Sequence, residues 1–181
     1  MLGAILTQNT AWTNVETALA RLRRAGIVLP RDVLAIGRGG LAGLIRSSGY
    51  FNQKARKLAA VASLLASPGA LTLNSAPSRE TLLSQWGIGP ETADSILLYA
   101  FHVPVFVIDA YTRRILSRIG LVDAGASYEH LQDLFHVSLP PDTTLFNEYH
   151  ALLVRHAKEF CMRSPQCTGC PVGSCRYRKG A

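Results

Sequence analysis

Apolar positions recur along this chain at intervals of three and four residues, and glycine, proline and short polar stretches cut that pattern into a succession of helices. In "AWTNVETALARLRRAG", Trp12, Val15, Leu19 and Leu22 share one face, Thr13 and Glu16 have capping-box spacing, and Gly26 supplies a stop. "RDVLAIG" and "GGLAGLIRSSG" read as short helices punctuated by glycine. "NQKARKLAAVASLLASPG" reads as a longer one, closed by Pro68 and Gly69. "SRETLLSQW" and "PETADSILLYAFH" flank a tight turn, with Pro90 at the first helical position, where its missing N–H costs nothing. Only "VPVFVI" (103–108) is strand-like. Six residues long and followed at once by Asp109, it reads as a buried extended connector. "DAYTRRILSRIG", "SYEHLQDLFHVSL" and "DTTLFNEYHALLVRHAKEFC" continue the helical pattern. The pattern predicts an all-α protein of two helical lobes, 1–103 with a helical hairpin at about 78–101, and 104–181. No internal repeat or low-complexity linker interrupts it.

Composition narrows the class. Of 181 residues, 48% are apolar and 17% charged, enough to bury a core and too apolar for disorder. No apolar run approaches the roughly 20 residues of a membrane span. Met1 leads straight into "LGAILTQNT", with no basic segment and no small-residue cleavage site, so a cytoplasmic, non-membrane protein is expected. The net charge of +7 suits a polyanionic partner, although charge alone fits a merely basic enzyme equally well.

The hairpin "LSQWGIGPETADSILLYA" asks for more than a turn. Gly87 and Gly89 permit backbone angles that other residues resist and let a ligand approach the main chain around Ile88. The helix that begins at Pro90 offers unpaired N–H groups and a positive dipole end to a phosphate. Thr92, Ala93 and Ser95 are small enough for close helix packing. Asp109, at the end of the apolar connector, is a natural N-cap. A carboxylate there could also activate water or stabilise developing positive charge, and the two roles are compatible.

All four cysteines lie at the C-terminal end, as Cys161-x5-Cys167-x2-Cys170-x4-Cys175. A secreted disulfide scaffold would spread them along the chain. Spacing this close suits one tetrahedral zinc ion or one iron–sulfur cluster. Arg163, Arg176, Arg178 and Lys179 lie beside them, as a basic loop or a solvated tail. The five histidines, His102, His130, His136, His150 and His156, show no ligand spacing, and nothing distinguishes Glu148 from a surface helix residue.

Taken together, "LGAILTQNT", "SSGYFNQKARKL", "GIGPETAD", "VFVIDAYTRRIL" and the cysteine loop resemble the endonuclease III (helix–hairpin–helix, HhH-GPD) family of DNA glycosylases, in the family's order and over almost the whole chain. The resemblance implies a two-lobed fold gripping double-stranded DNA across a cleft, a main-chain phosphate contact at Gly87, Ile88 and Gly89, and Asp109 as the catalytic carboxylate. It implies a [4Fe–4S] cluster on Cys161, Cys167, Cys170 and Cys175 rather than zinc, although two gaps are one residue shorter than the family's C-x6-C-x2-C-x5-C. By the same comparison Gln8 fills the gap left by an extruded base, Tyr50 wedges the opposite strand, and Asn52 and Lys54 add phosphate contacts.

One departure bears on chemistry: the lyase lysine of G-V-G-R-K-T-A is replaced by Glu91, so no Schiff-base amine matches the motif and strand cleavage should be weak or absent. Lys54, Lys57 and Lys158 match no such position. The wording is most like the bacterial 3-methyladenine glycosylases of endonuclease III type, which implies a monomer of the bacterial cytosol or nucleoid acting on alkylated purines in base excision repair. Trp12 matches an aromatic pocket position of that group; its plainer reading is helix core. Family members carry a further segment before "LTQNT", including pocket aromatics, so this chain reads as a fragment, a misassigned start or a shortened variant. Other readings are an oxidised-pyrimidine or mismatch glycosylase with lyase activity, a non-catalytic DNA-binding protein, and a zinc-ribbon-like adaptor.

Overall fold

The computed structural model describes residues 1–67 and 76–180; Pro68, Gly69 and the side chain of Lys179 lie outside the described residues. The described secondary structure is helical throughout. It comprises α1 (Leu2–Leu6), α2 (Trp12–Arg24), α3 (Pro30–Ala35), α4 (Gly37–Leu44), a 3-10 turn (Arg46–Ser48), α5 (Phe51–Ala66), α6 (Arg79–Leu83), α7 (Pro90–Phe101), α8 (Ala110–Ile119), α9 (Tyr128–Ser138), α10 (Thr143–Glu159) and α11 (Arg176–Gly180). The chain divides into two compact units, Met1–Phe101 and His102–Ala181. No helix among the described residues is long and apolar enough to cross a membrane.

In the first unit α5 is the axis. Its residues 54, 55, 58, 61, 62 and 65 are buried, the stripe that a 3.6-residue period turns to one side. α3 and α4 pack against it, as does α1. Ile5, Leu6, Val15, Leu22, Leu41, Ile45, Leu58 and Leu82 complete a core in which each large side chain contributes about 1.5–3 kcal/mol by leaving water.

Two charges are buried with this core. Asp94 of α7 is fully buried and takes a bidentate contact from Arg79 of α6, Nε to Oδ1 at 2.7 Å and the second nitrogen to Oδ2 at 3.1 Å. This fork fixes the angle of the α6–α7 hairpin. Lys54 is 2% exposed and donates to the carbonyls of Leu6 (2.8 Å) and Ser48 (2.6 Å), which joins α1 and the 3-10 turn to α5. Desolvation lowers its ammonium to about 8, with the charge of Lys57 adding to the effect. The phosphate contact expected of Lys54 is therefore corrected: protein carbonyls hold its ammonium inside the unit.

The capping box expected at Thr13 is also corrected. α2 starts two residues earlier, with Ala11 at its N-cap and no side-chain cap, and Glu16 instead accepts the Trp12 indole N–H at 2.9 Å. Gly26 follows the end of α2 at φ 74°, as a C-terminal stop should.

In the second unit, residues 103–108 are an extended connector that pairs with no strand among the described residues, and Val105 to Ile108 are buried. Their backbone polar groups find side chains instead. Phe106 N–H donates to His136 Nε2 (3.0 Å), Ile108 N–H to the Tyr128 hydroxyl (3.3 Å), and Phe106 O accepts from Gln132 Nε2 (2.6 Å). The Phe106 ring stacks on Phe135 at 3.7 Å and meets Phe146 edge-on at 5.4 Å. The connector is thus locked to α9 by hydrogen bonds and to α9 and α10 by aromatic packing.

Arg79→Ala leaves the Asp94 carboxylate in the core without its guanidinium. Because Arg79 is itself partly exposed, the low end of the range for broken buried pairs applies, about 3 kcal/mol lost from the unfolding free energy in urea titration. A change below about 1 kcal/mol would show that the pair does not hold the hairpin.

Candidate active site and nucleic-acid interface

The hairpin turn runs from Trp86 to Pro90. Ile88 is buried and anchors it, while Gly87 is exposed at φ 75°. A Cβ on Gly87 would lie 2.7 Å from Cε of the flexible Lys57 side chain that crosses it, and the backbone angle is what requires glycine here. A Cβ on Gly89 would meet open space, which leaves the main chain there approachable. The amides of Thr92 and Ala93 close the first turn of α7 on Gly89 O, at 3.1 and 2.9 Å. Glu91 is exposed in that turn. A carboxylate is electrostatically comfortable at a helix N-terminus, but it has no nucleophilic amine to offer.

The structure brings Gln8 to this hairpin. Gln8 Nε2 donates to Thr92 Oγ1 at 2.6 Å, and Lys57 Nζ donates to Gln8 Oε1 at 2.5 Å. Burial lowers the Lys57 ammonium below the usual lysine range. Tyr50 is exposed and left-handed at φ 44°, and opens α5; Asn52, in its first turn, is exposed as well. Trp12 is 50% exposed, with its ring edge above Gly3, so the core reading of that residue does not hold. Arg56 stacks on Trp86 at 3.8 Å, next to the hairpin.

In the second unit Asp109 ends the connector and caps α8. Its Oδ1 accepts the Thr112 N–H at 2.7 Å, and its Oδ2 lies 3.6 Å from His150 Nε2, an ion-pair distance too long for a direct hydrogen bond. Both side chains are 13% exposed. Burial pushes the Asp109 carboxyl up. The His150 imidazole and the Thr112 amide outweigh it and hold the group below the usual aspartate range. His150 stands edge-on to Phe106. Sequence reasoning missed it, because its pairing with Asp109 is made by the packing of α10 and follows no local spacing.

The four cysteines are free thiols, half-buried, and all line one cavity together with Ile115, Arg118 and His156. Arg118 organises the loop around them. It donates to Cys161 Sγ (3.3 Å) and to the carbonyls of Met162 and Arg163, while its own carbonyl accepts from Cys175 Sγ at 3.4 Å. Arg114 donates to Cys161 O at 2.7 Å. Among the described residues no three His, Cys, Asp or Glu side chains converge closely enough for a single metal ion. Arg163, Arg176 and Arg178 are exposed beside the loop.

Residues 2–141 match the HhH-GPD superfamily of base excision DNA repair proteins. The chain belongs to that family. A Methanocaldococcus jannaschii protein provisionally named a DNA repair glycosylase is 40% identical over 179 residues, 95% of this chain and 81% of its own. The H. pylori 3-methyladenine DNA glycosylase bound to 1,N6-ethenoadenine is 30% identical, with a TM-score of 0.74 over 87% of this chain and 83% of that one. A non-covalent endonuclease III–DNA complex, 24% identical, shares the fold with a TM-score of 0.83 over 99% of this chain and 82% of that chain. The all-α HhH-GPD fold read from the sequence is the fold observed, and the chain is a DNA glycosylase of base excision repair.

The lowered Asp109 value carries a sign. Its ionised form stabilises the folded unit at every pH above the unfolded aspartate value of about 3.9, and that contribution drains away as the pH falls through the folded value. Asn caps a helix as well as Asp, so Asp109→Asn isolates the charge. The wild type should melt above this variant at about pH 5, and the gap should close below about pH 4. A gap independent of pH would mean that the carboxylate is not specially held.

Proposed function

We propose that this chain is a monofunctional DNA glycosylase that hydrolyses the base–sugar bond of an alkylated purine in duplex DNA and leaves an abasic site. Two separate observations carry the reading: Glu91 stands where a lyase amine would, and the Asp109 carboxyl is held below the usual aspartate range. As the C1′–N bond of an extruded nucleotide stretches, positive charge grows on the sugar, and the Asp109 carboxylate stabilises it. Oδ1 stays committed to the Thr112 amide. Oδ2 takes the proton of the attacking water, with His150 beside it. A base that is already cationic through alkylation leaves neutral and needs no protonation of its own.

The likeness to the 3-methyladenine glycosylase supports this substrate class. So does an exposed Trp12, whose electron-rich face suits a cationic purine. Gly87 and Gly89 hold a backbone phosphate through main-chain N–H groups, while the Ile88 N–H expected beside them is donated to Gln85 O at 3.1 Å; Asn52 adds a contact, Gln8 enters the gap left by the extruded base, and Tyr50 wedges the facing strand. The protein acts as a monomer.

We assign a structural [4Fe–4S] cluster to Cys161, Cys167, Cys170 and Cys175. Four cysteines that line one cavity can supply the four thiolates such a cluster needs. When bound, the cluster would brace a basic loop for DNA, with the Arg118 guanidinium hydrogen-bonded at Cys161.

Incubation with methylated duplex DNA should release free methylpurine, with strand breaks only after alkali. Asp109→Asn should keep DNA affinity and lose turnover by about 10²-fold or more. Release of oxidised pyrimidine with spontaneous breaks would overturn the assignment, and no base release from any substrate would leave a DNA-binding module. Purified protein should be brown with about four irons per chain, and Cys167→Ser should lose both colour and iron; a colourless protein with one zinc would refute the cluster.

A further inference from the structure

Gln8, Lys57 and Thr92 form a short chain of side-chain hydrogen bonds, Lys57 Nζ to Gln8 Oε1 at 2.5 Å and Gln8 Nε2 to Thr92 Oγ1 at 2.6 Å. An ammonium can only donate, so the amide must turn its oxygen to Lys57, and its nitrogen then falls on the Thr92 hydroxyl. The reversed amide would set N–H against N–H at Lys57. Neither anchor is loose. Thr92 is buried in α7, and the Lys57 stem lies against the hairpin within 2.7 Å of where a Gly87 Cβ would be. Asn9, next to Gln8, is held at φ 52°, which turns the chain sharply there.

A side-chain amide has two lone pairs and two N–H groups. With one of each committed, Gln8 keeps one acceptor and one donor, in a fixed order. Base edges differ in that order. From the major-groove side, the pairing edges of adenine and cytosine present a donor and then an acceptor; guanine presents an acceptor and then a donor. Thymine flanks its N–H with acceptors on both sides.

We propose that Lys57 is an opposite-base specificity residue: by locking the Gln8 amide in one orientation, it makes the gap-filling side chain discriminate among the bases left unpaired by extrusion. The proposal rests on the reading that Gln8 enters that gap. Lys57 acts through Gln8 and is a positioning residue. Its half-buried ammonium faces a side chain of its own unit, so its loss should change discrimination more than general affinity.

The test uses the full chain and duplexes that carry a tetrahydrofuran abasic analogue opposite A, C, G or T, so that neither turnover nor the identity of the damaged base enters. Wild type should bind the four duplexes with a spread of about tenfold between best and worst. Lys57→Met keeps the stem against Gly87 and removes the donor; it should compress the spread to about twofold and leave the mean affinity within about threefold. Lys57→Arg should restore most of the spread. Gln8→Ala should flatten it too, and adding Lys57→Met to Gln8→Ala should change the spread no further. A uniform loss across all four duplexes in Lys57→Met, with the spread intact, would overturn the proposal and make Lys57 a phosphate or packing residue. If Gln8→Ala flattens the spread and Lys57→Met does not, only the lock fails. If wild type shows no spread, or Gln8→Ala leaves it unchanged, the gap-filling reading fails and takes the lock with it.

Discussion

A carboxylate that is almost withdrawn from water protonates unless something pays for its charge. Asp109 keeps its charge because it stands at the start of α8, where the Thr112 amide needs an acceptor, and because α10 brings His150 to its other oxygen. Both conditions depend on the connector that delivers Asp109. That segment pairs with no strand among the described residues; His136, Tyr128 and Gln132 bond its backbone instead, while Phe106 is clasped between Phe135 and Phe146. The aromatic cluster is a support for one side chain. It sets where Asp109 ends, how His150 approaches, and therefore which protonation state the carboxyl holds at neutral pH.

The first unit solves a related problem with opposite charges. Its core contains the ammonium of Lys54 and the carboxylate of Asp94, each satisfied within the unit: one on two backbone carbonyls, the other on the fork of Arg79. Hydrogen-bonded buried charges favour one arrangement over near alternatives, since a small shift would strand them. What they specify here is the α6–α7 hairpin, through Arg79 and Asp94, and the join of α1 and the 3-10 turn to α5, through Lys54. Lys57 extends this logic to the surface, with its stem on the glycine turn and its head on Gln8. The glycines of the hairpin thus serve the approach of a ligand and the packing of a neighbouring lysine at once.

Much of this architecture was legible in the sequence. Helical periodicity located the long helices, and the apolar run 103–108 showed itself as a connector because its length and its abrupt end at Asp109 suit neither a helix nor a lasting strand. Asp109 could be read as an N-cap from its position alone, and it is one. Local pattern misled at Thr13, where the indole of Trp12 competes for Glu16 and the helix starts two residues early. The family resemblance, rather than local pattern, misled at Lys54, whose ammonium is held inside the unit by the carbonyls of Leu6 and Ser48. His150, Lys57 and Arg118 were out of reach because their partners lie far along the chain, and no spacing rule connects them.

The central claim is that catalysis here is hydrolytic, with a carboxylate and without an amine. The direct test is reduction with sodium borohydride of the protein mixed with abasic-site duplex, followed by denaturing electrophoresis. The account predicts no covalent protein–DNA species under conditions in which the same protein releases methylated purine. A trapped adduct would contradict it, and mass mapping of the adduct would name the lysine that had taken the role Glu91 cannot fill.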